Sequence, residues 1–362
     1  MARLSLFDLT MKLKSPISRK REEHHIGTNE AISSSRYFQE EFQLPSRINF
    51  SLNLLKSKSN EEMNFFKRTI PVASILLALS LASVPSNAKP ETERIPLWPE
   101  PAYASDGITK TDDAYITYFL SDQPNASAVI ICPGGGYRNL VKRPEGIGIA
   151  QWLNSQGITG IVLEYRLPQS DTYRPLLDAQ KAIRTVRANA RKWSVDPTKI
   201  GIMGFSAGGH LASTAATHFD PGNPNAADPV ERMSSRPDFA ILIYPVITMG
   251  DRTHAGSKAN LLGENPDQSL VEHFSNELQI TSNTPPAFLA HAVDDHVVSS
   301  LNSRMYYDAL VAKNIPAKYL ELPSGGHGLN GYEGTMWNRW QEQSILWLAD
   351  QGWIPRRTPI TQ

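Results

Sequence analysis

One cysteine, Cys132, stands in 362 residues. No disulfide can therefore close within the chain. Cys132 ends the apolar run Ala128-Val129-Ile130-Ile131, a setting that predicts a small buried residue at a strand end rather than a nucleophile. Charge excess is also missing, since 36 basic residues meet 36 acidic ones. No basic stripe is visible, so nothing points to a nucleic-acid partner. A balanced surface suits a neutral or mixed substrate. No internal repeat is found, which argues against a propeller or solenoid. No apolar run reaches the length of about 20 residues that a comfortable membrane span takes.

What is present is an ordinary globular composition, with 40% hydrophobic residues. The length fits one α/β domain with a tail. Residues 1–62 differ from the rest. They are polar and patchy, with Arg19-Lys20-Arg21, His24-His25 and Ser33-Ser34-Ser35, and show no sustained period. Then come the basic Lys67-Arg68 after Met63, an apolar stretch from Ile70 to Ala82, and the small-residue end Ser86-Asn87-Ala88. That order describes a secretory signal peptide over 63–88. It predicts a true start at Met63, a non-native or disordered extension over 1–62, and a mature catalytic domain over 89–362. The expected location is secreted or periplasmic, with no stable membrane association after signal removal.

Within the mature chain, 90–107 is Pro-rich and reads as irregular. Strands are expected at 114–120, 127–132, 158–165, 199–205, 239–246, 287–292 and 317–322. Helices are expected at 146–156, 175–193, 207–218, 301–313 and 336–350. Residues 247–284 read as a polar insertion with weak helical pieces, forming a lid or pocket wall. Alternating strands and helices make right-handed βαβ units, hence a mostly parallel central sheet with helices on both faces.

The strongest chemical signal is Gly204-Phe205-Ser206-Ala207-Gly208. The five-residue pattern alone is weak, but its context is specific. An apolar strand, Ile200 to Met203, runs straight into it, and Gly209-His210-Leu211-Ala212 opens a helix straight after it. This is the G-x-S-x-G nucleophile elbow. Its turn is tight enough that glycines must flank the serine. The bland alternative is a serine helix cap.

A serine hydroxyl needs a base to take its proton. His327, in Ser324-Gly325-Gly326-His327-Gly328, follows the last expected strand and is placed as a loop-borne base. His210 and His218 fall on the helix after Ser206, and His254 and His273 fall in the insertion. His291 and His296 flank the end of the penultimate strand, where His291 is expected to pack or cap the turn. The acid that orients the base is either Asp294 or Asp295, the other serving as a turn residue with local backbone bonds. An oxyanion needs amide donors, which Ala207 and the Gly134-Gly135-Gly136 loop supply, with Gly135 and Gly136 as the loop donors. Pro133 stands where such loops often carry histidine.

Together these motifs resemble the α/β-hydrolase fold esterases, in the hormone-sensitive-lipase-like and acetylxylan-esterase-like bacterial branch. The resemblance runs from about Ile95 to Trp347. It rests on Cys132-Pro133-Gly134-Gly135-Gly136-Tyr137, the stretch from Gly201 to His210, Tyr244-Pro245, Asp294-Asp295 and Gly326-His327-Gly328. The family's acid falls four residues after a histidine, which from His291 selects Asp295. Two departures are Ala292, where that motif has glycine, and Ser299, where proline is usual. The resemblance implies a Ser206, Asp295, His327 set that cleaves short-chain esters, acetyl above all, on a small molecule or an acetylated polysaccharide such as acetylxylan. No cofactor and no metal is called for. The alternative is a peptidase of the prolyl-oligopeptidase type, although the chain has no room for that family's propeller. Glycoside hydrolysis usually needs two carboxylates across a sugar cleft, which these motifs do not offer.

Overall fold

The structure, a computed structural model, describes residues 92–98 and 114–356. The expected extension at 1–62, the signal segment at 63–88 and residues 99–113 lie outside the described residues.

Among the described residues, eight strands form one sheet in the order β1-β2-β4-β3-β5-β6-β7-β8. They are β1 (Thr92–Pro96), β2 (Tyr115–Phe119), β3 (Ala128–Cys132), β4 (Thr159–Glu164), β5 (Ile200–Phe205), β6 (Phe239–Ile243), β7 (Ala287–Ala292) and β8 (Ala317–Leu322). The β1–β2 and β2–β4 pairs are antiparallel, and all others are parallel. The mostly parallel sheet expected from the alternation is observed, in the α/β-hydrolase fold that the resemblance implies. Register carries Cys132 beside Gly204 and Phe205 beside Ile243. The carboxyl ends of β3, β5 and β6 therefore meet at one edge, where open α/β sheets place their sites.

Both faces of the sheet are covered, which explains why β3, β5, β6 and β7 are buried at every position. Ile130, Ile202, Leu242 and Leu289 face one layer, built from α2 (Arg174–Ala188), α3 (Ala207–Thr217) and α6 (Leu301–Ala312). Val129, Ile131, Met203, Ile241 and Phe288 face the other, where α1 (Gly148–Ser155) brings Leu153 and the last helix, Gly334–Asp350, brings Trp340, Trp347 and Leu348. Trp340 is fully buried. Truncating such a residue to alanine costs about 3–5 kcal/mol.

Three expectations need correction. Residues 90–107 do not read as strand, yet Thr92–Pro96 pairs with β2. Its proline closes an outer strand, where a missing N–H is tolerated. The helix expected at 175–193 ends at Ala188. Asn189 stops it by sending its side-chain amide to the Thr185 carbonyl at 2.8 Å, competing with the backbone ladder. The strand expected at 239–246 ends at Ile243, because Tyr244 turns the chain with φ +37°.

The insertion holds α4 (Ala255–Leu262), α5 (Gln268–His273) and a 3₁₀ turn at Asn276–Leu278. It is polar outside, but Met249, Leu261, Leu262, Val271 and Phe274 are buried in the main core. Among the described residues no helix is long and apolar enough to cross a membrane.

Candidate active site

Ser206 sits between β5 and α3 with φ +52° and ψ −121°. A non-glycine residue there carries strain of about 1–3 kcal/mol, which the surroundings must hold. They do so through backbone bonds on both sides. Ser206 N–H donates to the Ile243 carbonyl at 3.1 Å, and the Ser206 carbonyl accepts from Val246 and His210 N–H at 3.0 and 3.1 Å. The flanking glycines are steric necessities. A Cβ on Gly204 would lie 2.0 Å from the Gly208 carbonyl oxygen, and one on Gly208 would lie 2.1 Å from that of Cys132.

His327 approaches from the loop after β8. Its Nε2 lies 2.9 Å from Ser206 Oγ, and its Nδ1 lies 2.7 Å from Asp295 Oδ2. An ionised Asp295 fixes the tautomer: Nδ1–H donates to the carboxylate, so Nε2 is left to accept from the serine hydroxyl. The Asp295 side chain is fully buried. Burial alone would push its carboxyl up. Hydrogen bonds from His291 and His327, the charge of His327 and the Val298 N–H overcome this and hold it well below the usual carboxylate range.

Asp295 is held from a second side by His291, whose Nε2–H is shared between Asp295 Oδ2 at 3.2 Å and the Val298 carbonyl at 2.9 Å. Ser303 Oγ contacts His291 Nδ1 at 2.8 Å. His291 thus supports the acid, a task beyond the packing or capping expected of it. Asp294 also does more than expected. It lies in the turn expected of it, but its carboxylate also accepts from Gly325 and Gly326 N–H at 3.2 and 2.9 Å, far along the chain. The local turn bonds belong to Asp295, whose Oδ1 accepts from Val297 and Val298 N–H, each at 2.9 Å.

The glycine loop lies against the elbow. A Cβ on Gly134 would be 2.8 Å from the Phe205 carbonyl oxygen and 3.1 Å from Ser206 Cβ. Gly135 takes φ +128° and Gly136 φ +65°, conformations that favour glycine. The Gly134 carbonyl accepts from Val141 N–H, the Gly135 carbonyl from Arg138 and Asn139 N–H, and the Gly136 carbonyl from the Asn260 side-chain amide at 2.8 Å. That last bond ties α4 of the insertion to the loop, so the insertion forms a wall of the site. His254 caps α4 through Ser257 N–H at 3.2 Å. Burial, with His327 nearby, lowers its proton affinity.

Sequence reasoning passed over Glu145 and Tyr244. Glu145 is buried, with Oε2 on Gly134 N–H at 2.7 Å and Oε1 on the Tyr244 hydroxyl at 3.0 Å. The Tyr244 ring lies 4.9 Å from the His327 ring, centroid to centroid. Tyr244-Pro245 entered only as a family motif, and no spacing rule marks Glu145. Cys132 is fully buried, and burial pushes its thiol up. Among the described residues no group of three His, Cys, Asp or Glu side chains is arranged to hold a metal. Chemically, the arrangement offers a hydroxyl, a base aimed at its proton, a buried acid behind the base, and a glycine loop beside the hydroxyl.

The BD-FAE family profile matches residues 116–310. An acetylxylan esterase from Xylanibacter ruminicola is 38% identical over 250 residues, 67% of this chain and 49% of that protein. Endo-1,4-beta-xylanase B from Butyrivibrio fibrisolvens is 35% identical over 251 residues, 67% of this chain and 39% of that protein. The chain thus spans less than half the length of either relative. Among solved structures, the acetyl ester-xyloside bifunctional hydrolase from Caldicellulosiruptor lactoaceticus is 39% identical with a TM-score of 0.70. The match covers 74% of this chain and 100% of that one.

Proposed function

The chain belongs to the BD-FAE family, and from that premise we propose that it is a serine carboxylic-ester hydrolase removing acetyl groups from an acetylated carbohydrate such as acetylxylan. One observation carries the chemistry: the unbroken run of hydrogen bonds from Ser206 through His327 to Asp295, at 2.9 and 2.7 Å.

The reaction follows from that run. Ser206 Oγ attacks the ester carbonyl carbon as His327 Nε2 takes its proton. Asp295 stabilises the imidazolium that results. The carbonyl oxygen becomes an oxyanion, received by the N–H groups of Ala207, Gly135 and Gly136. The tetrahedral species collapses, the C–O bond to the alcohol breaks, and His327 returns the proton to the departing oxygen. Water, deprotonated by His327, then attacks the acyl-serine and releases the carboxylate with Ser206 restored.

Acetyl preference draws support from the names of the relatives and from the wall of the site. The outer side of the insertion carries Asp251, Arg252, Lys258 and Glu264 rather than an apolar lid. A long acyl chain gains about 0.8 kcal/mol per buried CH₂, and collecting that gain takes an apolar lid over the site. Glycoside hydrolysis at this site is the weaker reading, because both carboxylates near Ser206, Asp295 and Glu145, are buried and bonded within the protein. The comparisons do not favour the peptidase alternative.

Export is part of the same proposal. It rests on the residue pattern over 63–88, and a natural N-terminus near Lys89 by mass spectrometry tests it. The substrate is tested by kcat/KM across acetyl, butyryl, octanoyl and dodecanoyl p-nitrophenyl esters, beside acetate release from acetylated xylan. Values falling with chain length and free acetate from xylan are expected. A maximum at octanoyl or beyond contradicts the carbohydrate reading and leaves the serine-hydrolase reading standing.

A further inference from the structure

Asp295 is not the only carboxylate beside the imidazole. Glu145 lies in the π-helical turn Arg143–Ile147, before α1, and is 2% exposed. Three neutral donors reach it: Gly134 N–H at 2.7 Å, the Tyr244 hydroxyl at 3.0 Å and the Tyr332 hydroxyl. No ion pair among the described residues includes it. A buried carboxylate without a counter-cation is costly, and hydrogen bonds only partly offset the cost. Burial accordingly pushes the Glu145 carboxyl up, against the pull of Gly134, Tyr244 and the charge of His327.

Two contacts give this charge a use. Gly134 is clamped between Glu145 and the nucleophile: a Cβ there would lie 2.7 Å from Glu145 Oε2 and 3.1 Å from Ser206 Cβ. Gly135 and Gly136 follow directly in the chain, so the carboxylate that holds Gly134 N–H also sets where the next two amides stand. On its other oxygen, Glu145 holds Tyr244, whose ring lies 4.9 Å from that of His327. His327 is the base that takes the Ser206 proton. It becomes a cation on doing so, and an interaction that strengthens at that moment lowers the barrier.

We propose that Glu145 is a positioning residue for ester hydrolysis: it anchors the glycine loop through Gly134 and presents a fixed negative charge to the imidazolium of His327. The proposal rests on the serine-hydrolase reading above. The groups facing His327 are Asp295 from the loop after β7, Tyr244 after β6, Glu145 from the turn before α1, and His254 at the cap of α4. Those facing Glu145 are Tyr244, Tyr332, Tyr165 and His327. Asp295 and Glu145 are the anions of this set.

The test measures the rate at which a fluorophosphonate labels Ser206 as a function of pH, since that reaction needs the nucleophile and base but no particular ester. Wild type is compared with Glu145→Gln and Glu145→Asp, alongside kcat and KM for p-nitrophenyl acetate. Losing the anion makes the protonated base less favourable. In Glu145→Gln the acid-side midpoint of labelling moves to lower pH by about half a unit or more. Its plateau rate falls about tenfold, with KM within about twofold. Glu145→Asp keeps the charge but withdraws it from Gly134, so its midpoint stays with wild type while its plateau falls. An unmoved midpoint in Glu145→Gln, or a wild-type plateau in Glu145→Asp, overturns the proposal. Wild type that labels at Ser206 yet hydrolyses no ester overturns the esterase reading instead, and the midpoint comparison still decides the role of Glu145.

Discussion

Asp294 and Asp295 are consecutive in the chain, yet they grip two different parts of one loop. Asp295 takes the His327 imidazole at 2.7 Å, while Asp294 takes the Gly325 and Gly326 amides just before it. One dipeptide orients the ring and fixes the backbone that carries it. Asp295→Asn should lower kcat by roughly 10⁴, because an amide leaves His327 in the wrong tautomer. Asp294→Asn keeps an acceptor oxygen and should cost no more than about tenfold, a loss of placement rather than chemistry. Steady-state kinetics on p-nitrophenyl acetate check both, and the reverse order would move the acid to Asp294.

That pair also marks the limit of what the sequence discloses. The elbow is legible because it is local: an apolar strand, Gly204-Phe205-Ser206-Ala207-Gly208 and an opening helix lie in one stretch. Buried parallel strands such as Ala128–Cys132 are legible as unbroken apolar runs. Asp294 was readable only as a turn residue, since its partners come from 31 and 32 residues away. Glu145 follows Pro144 just ahead of the helix expected at 146–156, and only the fold brings it under Gly134. β1 was hidden by prolines, and the anchoring of the insertion by scattered residues such as Leu261 and Phe274 that carry no period of their own.

The glycine loop makes its own prediction. Gly135→Ala meets φ +128° and places a Cβ 2.1 Å from the Asn139 carbonyl oxygen, so the loop must shift. Loss of an oxyanion donor costs about 10²–10³ in kcat, and Gly135→Ala should fall in that range. Gly136→Ala, with φ +65° and Ser257 Oγ no nearer than 4.0 Å, meets strain but no clash. It should cost about 1 kcal/mol of stability and only a few-fold in kcat. Equal kinetic losses would count against the loop as the oxyanion site.

His210 predicts a pH dependence of stability. It is fully buried on α3, with Nδ1 accepting from the Tyr137 hydroxyl and Nε2–H donating to the Phe274 carbonyl, each at 2.8 Å. Burial lowers its pKa to about 4, against a pull upward from Phe274. Between about pH 6.5 and 4 the unfolded chain binds a proton that the native state refuses. Stability is therefore fully present above this window and falls as pH drops through it, by on the order of 3 kcal/mol. Urea midpoints at pH 7.5 and 4.5 measure the fall, which His210→Asn should reduce. An unchanged fall in that variant would contradict the buried neutral state.

The central claim is that Ser206, activated by His327, is the nucleophile of an ester hydrolase. The most direct measurement is kcat on p-nitrophenyl acetate for wild type and for Ser206→Ala, with circular dichroism confirming that the variant folds. The account predicts ready turnover by wild type and a loss on the order of 10⁶ in the variant, leaving only what the oxyanion loop and binding supply. A folded Ser206→Ala protein with undiminished turnover would contradict it.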